Sequence, residues 1–196
     1  MNSVHIPFWT TDDVLPPIDA TQPVSPYRAS LTDSILRFAT SPERIAILDG
    51  FLRYRAAQHA AGLARGLQWL DGSFLEHVEE NDGRPPNDLD VVTFYRLPPN
   101  RSQRDLASAW PQVFLDHLGV KTAYRVDGYV EHLGMEPERL TRQASYWYSV
   151  WSHRRSQLWK GFVEVDLAPM NDASATAIHG APARRRRVAQ ASTVWI

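Results

Sequence analysis

The stretch from Trp69 to Leu97 constrains this chain most. An apolar run, Leu67 to Leu70, stops abruptly at Asp71-Gly72-Ser73, as a strand does on meeting a turn. A second run is entered through Asp88-Leu89-Asp90 and continues as Val91, Val92, Phe94 and Tyr95. Its β-branched and aromatic residues predict a largely buried strand. Side chains alternate along a strand, so Asp88 and Asp90 share one face while Leu89 and Val91 share the other. Two carboxylates are thereby held side by side.

Like charges that close raise one another's pKa unless a cation is shared between them. The pair therefore favours a hard divalent ion such as Mg²⁺, which takes oxygen ligands. Upstream, Gly72 permits a sharp turn and close approach to a ligand. Ser73 is placed to start a helix whose free N–H groups and positive dipole end attract phosphate. Either half alone is ambiguous, since Asp-x-Asp at a strand start also serves turn chemistry. The ordered combination, each half following or opening a strand, is more specific.

At these residues the sequence resembles the polymerase-β-like nucleotidyltransferase superfamily, whose signature is Gly-Ser at a strand-to-helix turn, a spacer, and Asp-x-Asp on the next strand. Gly72, Ser73, Asp88 and Asp90 match that signature. The flanking WLDGSF, NDLDVV and KGFVEVDL look like a family of small bacterial nucleotidyltransferase-like proteins of unassigned function, over most of positions 5 to 167. The departure is the spacer: positions 74 to 87 make 14 residues, with Glu79 to Arg84 reading as an inserted polar loop.

A length of 196 residues suits one domain with a small appendage and is ample for a core. The formal net charge of −1 gives no overall attraction to nucleic acid or membrane. The chain has no cysteine, which excludes disulfides, thiolate chemistry and cysteine-bound zinc and fits a cytoplasmic location. The first residues lack the basic start and apolar core of an export signal, and no apolar run is long enough to span a bilayer.

Residues 1–29 carry five prolines and several large apolar residues, predicting an extended arm packed on the domain. Leu31, Ile35 and Phe38 recur at helical spacing. Ser41-Pro42-Glu43 is a helix start, with Ile45, Leu48, Phe51 and Leu52 as its buried stripe and Gly62 as its stop. His59 reads as a surface or capping residue. Arg101 and Arg104 flank a helical segment divided by Pro111 and ended by Gly119, and solvent-facing charge is their commoner meaning. Positions 120–133 alternate as a strand, placing Asp127 on a face with Arg125, Tyr129 and Glu131. Pro137 opens an aromatic-rich helix whose rings suit burial on a sheet. Arg154, Arg155 and Lys160 form a basic cluster suited to phosphate or RNA, or to a solvated loop. GFVEVDL alternates as the last strand. Residues 168–196 read as a basic, flexible tail in which Arg184 to Arg187 suits an anionic partner.

These elements predict an α+β domain over 30–167, with strands near 66–71, 88–96, 121–131 and 160–167. The resemblance implies a nucleotidyltransferase-like mixed sheet packed with helices. It also implies Mg²⁺-dependent transfer of a nucleoside monophosphate from a nucleoside triphosphate, ATP by superfamily prior, to a hydroxyl. Under it, Gly72 and Ser73 hold the outer phosphates, Asp88 and Asp90 hold metal, and Asp127 supplies the third carboxylate, with Glu131, Glu164 and Asp166 as rivals. Small members act in toxin–antitoxin pairs or antiviral defence, on protein or RNA acceptors. A non-catalytic module of the same fold, and an RNA binder working through Arg184 to Arg187, are the readings from other classes.

Overall fold

A computed structural model describes residues 25–154, 156 and 158–180. Its centre is a five-stranded mixed sheet in the order β1 (Tyr27–Arg28), β5 (Val163–Asp166), β2 (Gly66–Asp71), β3 (Leu89–Tyr95), β4 (Val126–His132). Strand β2 runs antiparallel to β3 and β5, while β3 and β4 are parallel, as are β1 and β5. The α+β expectation agrees with this architecture. Of the expected arm, residues 25–29 with the short β1 are among the described residues, and residues 1–24 lie outside them.

Among the described residues eight α-helices accompany the sheet. Helix α1 (Leu31–Phe38) is capped by Ser30, and α2 (Pro42–Ala60) by Ser41 with proline in its first turn. The buried face of α2 holds Ile47, Leu48, Phe51 and Tyr54, but also Arg44, Arg55 and Gln58. Ile45, expected in the stripe, is half-buried. Gly62 takes φ +90° just past the helix end. On this side of the sheet Gln58, Gln68 and Thr93 form a closed hydrogen-bonded set, with Gln68 donating to both Gln58 and Thr93 at 2.9 Å.

Helix α3 (Val78–Asn81) lies in the spacer after β2. Three helices join β3 to β4: α4 (Gln103–Ala109), α5 (Pro111–Phe114), and α6 (His117–Tyr124). Pro111 does divide the first two, but Gly119 lies inside α6 instead of ending a helix. The Asp116 side chain accepts from the Gly119 N–H at 2.8 Å and starts the helix one turn earlier. The strand expected from 121 therefore begins at Val126, after Arg125 takes the left-handed conformation.

Helix α7 (Pro137–Trp151) packs its rings on the opposite face of the sheet. Trp147 meets Tyr129 at 4.7 Å between centroids, and Trp151 meets Phe162 at 5.9 Å. The residues from 168 depart from the expected flexible tail: α8 (Asp172–His179) folds back with Ala175 buried. Arg55 donates to both oxygens of Asp172, at 2.9 and 2.7 Å, and His59 contacts the Leu167 carbonyl, so α2 holds this segment from below. Residues 181–196, including Arg184 to Arg187, lie outside the described residues. Among the described residues no helix is long and apolar enough to cross a membrane.

Candidate functional site

The antiparallel register sets Asp71 of β2 opposite Asp90 of β3, and the parallel register sets Asp90 opposite Asp127 of β4. Opposed residues project to the same face, so three strands place three carboxylates in one row. Asp88, two residues before Asp90, projects to that face as well. Entry into β3 is fixed by Arg125, whose guanidinium donates twice to the Asn87 carbonyl and whose own carbonyl accepts from the Leu89 N–H. Asp88, Asp90 and Asp127 thus lie at one end of the sheet.

The Gly72-Ser73 turn also lies there, in a different form from the expected one. Ser73 starts a three-residue 3-10 turn, Ser73–Leu75, and not a full helix. A single such turn aligns few peptide dipoles, so the helix-end attraction for phosphate is much reduced. Gly72 adopts φ +84°, and a Cβ built on it would stand 1.9 Å from Asp90 Oδ2. What the glycine admits is the Asp90 carboxylate.

The spacer is anchored from beneath. Arg44, 1% exposed, donates to the Phe74 and Glu76 carbonyls and to both oxygens of Glu79, with Nε to Oε1 at 2.6 Å. Glu79, expected in a solvated insertion, is held below the usual carboxylate range mainly by its Arg44 hydrogen bonds. The loop is consequently tied to α2.

Lys160 departs most from expectation. It is 5% exposed, 2.9 Å from Asp71 and 3.1 Å from Glu76, and Arg154 approaches Glu76 at 3.6 Å. The Lys160 and Arg154 side chains are bound into the acidic site and form no solvated patch; Arg155 lies outside the described residues. Burial pushes the Asp71 carboxyl up, opposed by Lys160. The only local hint was that Asp71 ends an apolar strand, since 89 positions separate the two partners.

On the outer side, Lys121 of α6 lies 2.7 Å from Asp88 and 3.2 Å from Asp127. Asp90 receives no such contact. Burial, then the charges of Asp88 and Asp127, raise its pKa to about 6. Five carboxylates, Asp71, Glu76, Asp88, Asp90 and Asp127, face three cationic side chains, Lys121, Arg154 and Lys160. The formal excess is two negative charges, the charge of one divalent ion.

The donor set fits such an ion: oxygen ligands only, from three carboxylates on neighbouring strands, with an ammonium already between two of them. Among the described residues no group of three or more His, Cys, Asp or Glu side chains is placed so that it could hold a metal ion. Lys121 contacts Asp88 and Asp127 there. The rival carboxylates serve elsewhere. Glu131 accepts from Gln143 and Trp147, Glu164 accepts from Trp69 and pairs with Arg28, and Asp166 accepts from the Ala168 N–H.

No curated protein and no solved structure matches this chain. A protein-family model does, and its span runs from before β1 to the end of β5, taking in every residue of the acidic row and both lysines. By that match over residues 7–166, the chain belongs to the family of unknown function DUF6932.

Proposed function

We propose that this protein is a nucleotidyltransferase-like enzyme that moves a nucleoside monophosphate from a nucleoside triphosphate to a hydroxyl of a protein or RNA acceptor, breaking the α–β phosphoanhydride bond and releasing pyrophosphate. One observation carries the reading: Asp88, Asp90 and Asp127 share one face of adjacent strands beside the Gly72-Ser73 turn. That grouping accords with the plan of the polymerase-β-like superfamily.

In this scheme Asp88, Asp90 and Asp127 hold Mg²⁺, which when bound neutralises phosphate charge. The Asp127 side chain, 25% exposed, is the most accessible of the acids paired to the two lysines and accepts the proton of the incoming hydroxyl. Backbone N–H groups at Gly72 and Ser73 face the outer phosphates. Lys160 fixes Asp71 and Glu76 and so holds the floor beneath Asp90. A role in a toxin–antitoxin pair or antiviral defence follows from the same superfamily likeness.

The test is incubation with each α-³²P-labelled nucleoside triphosphate and Mg²⁺, adding total RNA or co-purifying protein, beside Asp88→Asn/Asp90→Asn. Label transferred only by the intact protein supports the enzyme and identifies its acceptor class. Absence of transfer with every nucleotide and cell extract refutes it.

A second reading has its own support. Lys121 already pairs with both Asp88 and Asp127, and a 3-10 turn replaces the expected helix at Ser73. Both favour a non-catalytic module of the same fold, which binds without turnover.

A further inference from the structure

Lys121 projects from the last turn of α6, where its side chain is 46% exposed while its ammonium contacts Asp88 Oδ2 and Asp127 Oδ2. The two carboxylates belong to different strands and are 17% and 25% exposed. A lysine on a flexible four-carbon stem is a point charge without fixed coordination geometry. It compensates repulsion between the acids but leaves Asp90, the most central of them, without a contact from it. The other lysine of the site differs, being buried against Asp71 and Glu76. One cation is therefore buried and the other half-exposed.

We propose that Lys121 is a built-in competitor for the divalent metal: it bridges Asp88 and Asp127 in the metal-free protein and must withdraw before Asp88, Asp90 and Asp127 can share an ion. This rests on the metal-binding reading above and adds a regulatory feature to it. Occupancy of the site is then set by exchange between an ammonium and a metal ion, so the lysine raises the metal concentration at which the site fills. Withdrawal needs only side-chain rotation into solvent, because half of the side chain is already there.

The experiment is titration of the full chain with Mn²⁺ alone, following free Mn²⁺ by electron paramagnetic resonance, for wild type, Lys121→Met, Lys121→Gln and Asp90→Asn. Circular dichroism checks folding, and the two lysine variants guard against one of them failing to fold. Removing a unit charge a few ångströms from the metal should tighten Mn²⁺ binding at least about fivefold in both lysine variants. Asp90→Asn should abolish it. Unchanged or weaker binding in the folded lysine variants, with binding still lost in Asp90→Asn, overturns the competitor role and leaves the metal site standing. No Mn²⁺ binding by wild type or by either lysine variant overturns the metal reading and the competitor role together.

Discussion

Asp90 Oδ2 occupies the space that a side chain on Gly72 would need, 1.9 Å from the position of its Cβ. Gly72 also takes φ +84°, a conformation costly for other residues. Gly72→Ala therefore combines backbone strain with a steric clash against a strand end that cannot retreat. It should destabilise the fold by about 2–4 kcal/mol. In urea unfolding, adding Asp90→Ala to Gly72→Ala should recover about 1–2 kcal/mol, the portion due to the clash. Strict additivity of the two substitutions would show that the residues do not share this space.

Asp90 should make the metal-free protein less stable as pH rises. Its ordinary pKa of 3.8 moves to about 6 in the fold, through burial and then the charges of Asp88 and Asp127. Between those values the folded protein holds a proton that the unfolded chain has lost, so stability falls from about pH 4 to about pH 6 and then levels. Asp90→Asn removes this contribution. In EDTA the variant should gain on wild type across that window, about 3 kcal/mol by pH 7. Denaturation series at pH 4, 5, 6 and 7 measure the difference, and parallel curves would refute the assignment.

Lys160→Met should be damaging because it leaves Asp71 and Glu76 facing each other's side of the site without their shared cation. Removing one partner of a buried ion pair costs about 3–5 kcal/mol. Lys160→Met/Asp71→Leu removes both members and should be appreciably more stable than Lys160→Met. Thermal unfolding of the three proteins decides it. A double variant no more stable than the single one would mean that Glu76 and Arg154 dominate the floor.

What could be read from the sequence was local. The runs flanking Gly72-Ser73 and Asp88-Leu89-Asp90 carry their own strand and turn chemistry, so β2, β3 and the shared face of the two aspartates were foreseeable. Placement of Asp127 beside Asp90 depended on recognising a strand and its parallel neighbour. Its start is misplaced because Val120, Thr122, Tyr124 and Val126 put β-formers at every second position while Asp116 caps a helix through the same stretch. Lys160 and Lys121 were out of reach for a different reason. Their partners come from other elements, and a lysine bound in an acid cluster has the same letter as one in water. The small polar residues of α8 likewise give little local indication, since Arg55, 117 positions earlier, holds it.

That last contact yields a test of where the domain ends. Arg55 is fully buried on α2, and its guanidinium is divided between Gln68 of β2 and both oxygens of Asp172 at the start of α8. Asp172→Ala strands a buried guanidinium whose carboxylate partner is gone, a loss of about 3–5 kcal/mol. Arg55→Met/Asp172→Ala replaces the charge with an apolar chain of comparable reach and should restore part of that loss, although Gln68 then lacks a donor. Hydrogen exchange adds a readout that global stability does not supply. In Asp172→Ala the amides of residues 173–179 should lose protection, while those of β2 and β3 keep theirs. If α8 remains protected and stability is unchanged, the helix is held by its apolar contacts alone, and the folded unit owes nothing to this ion pair.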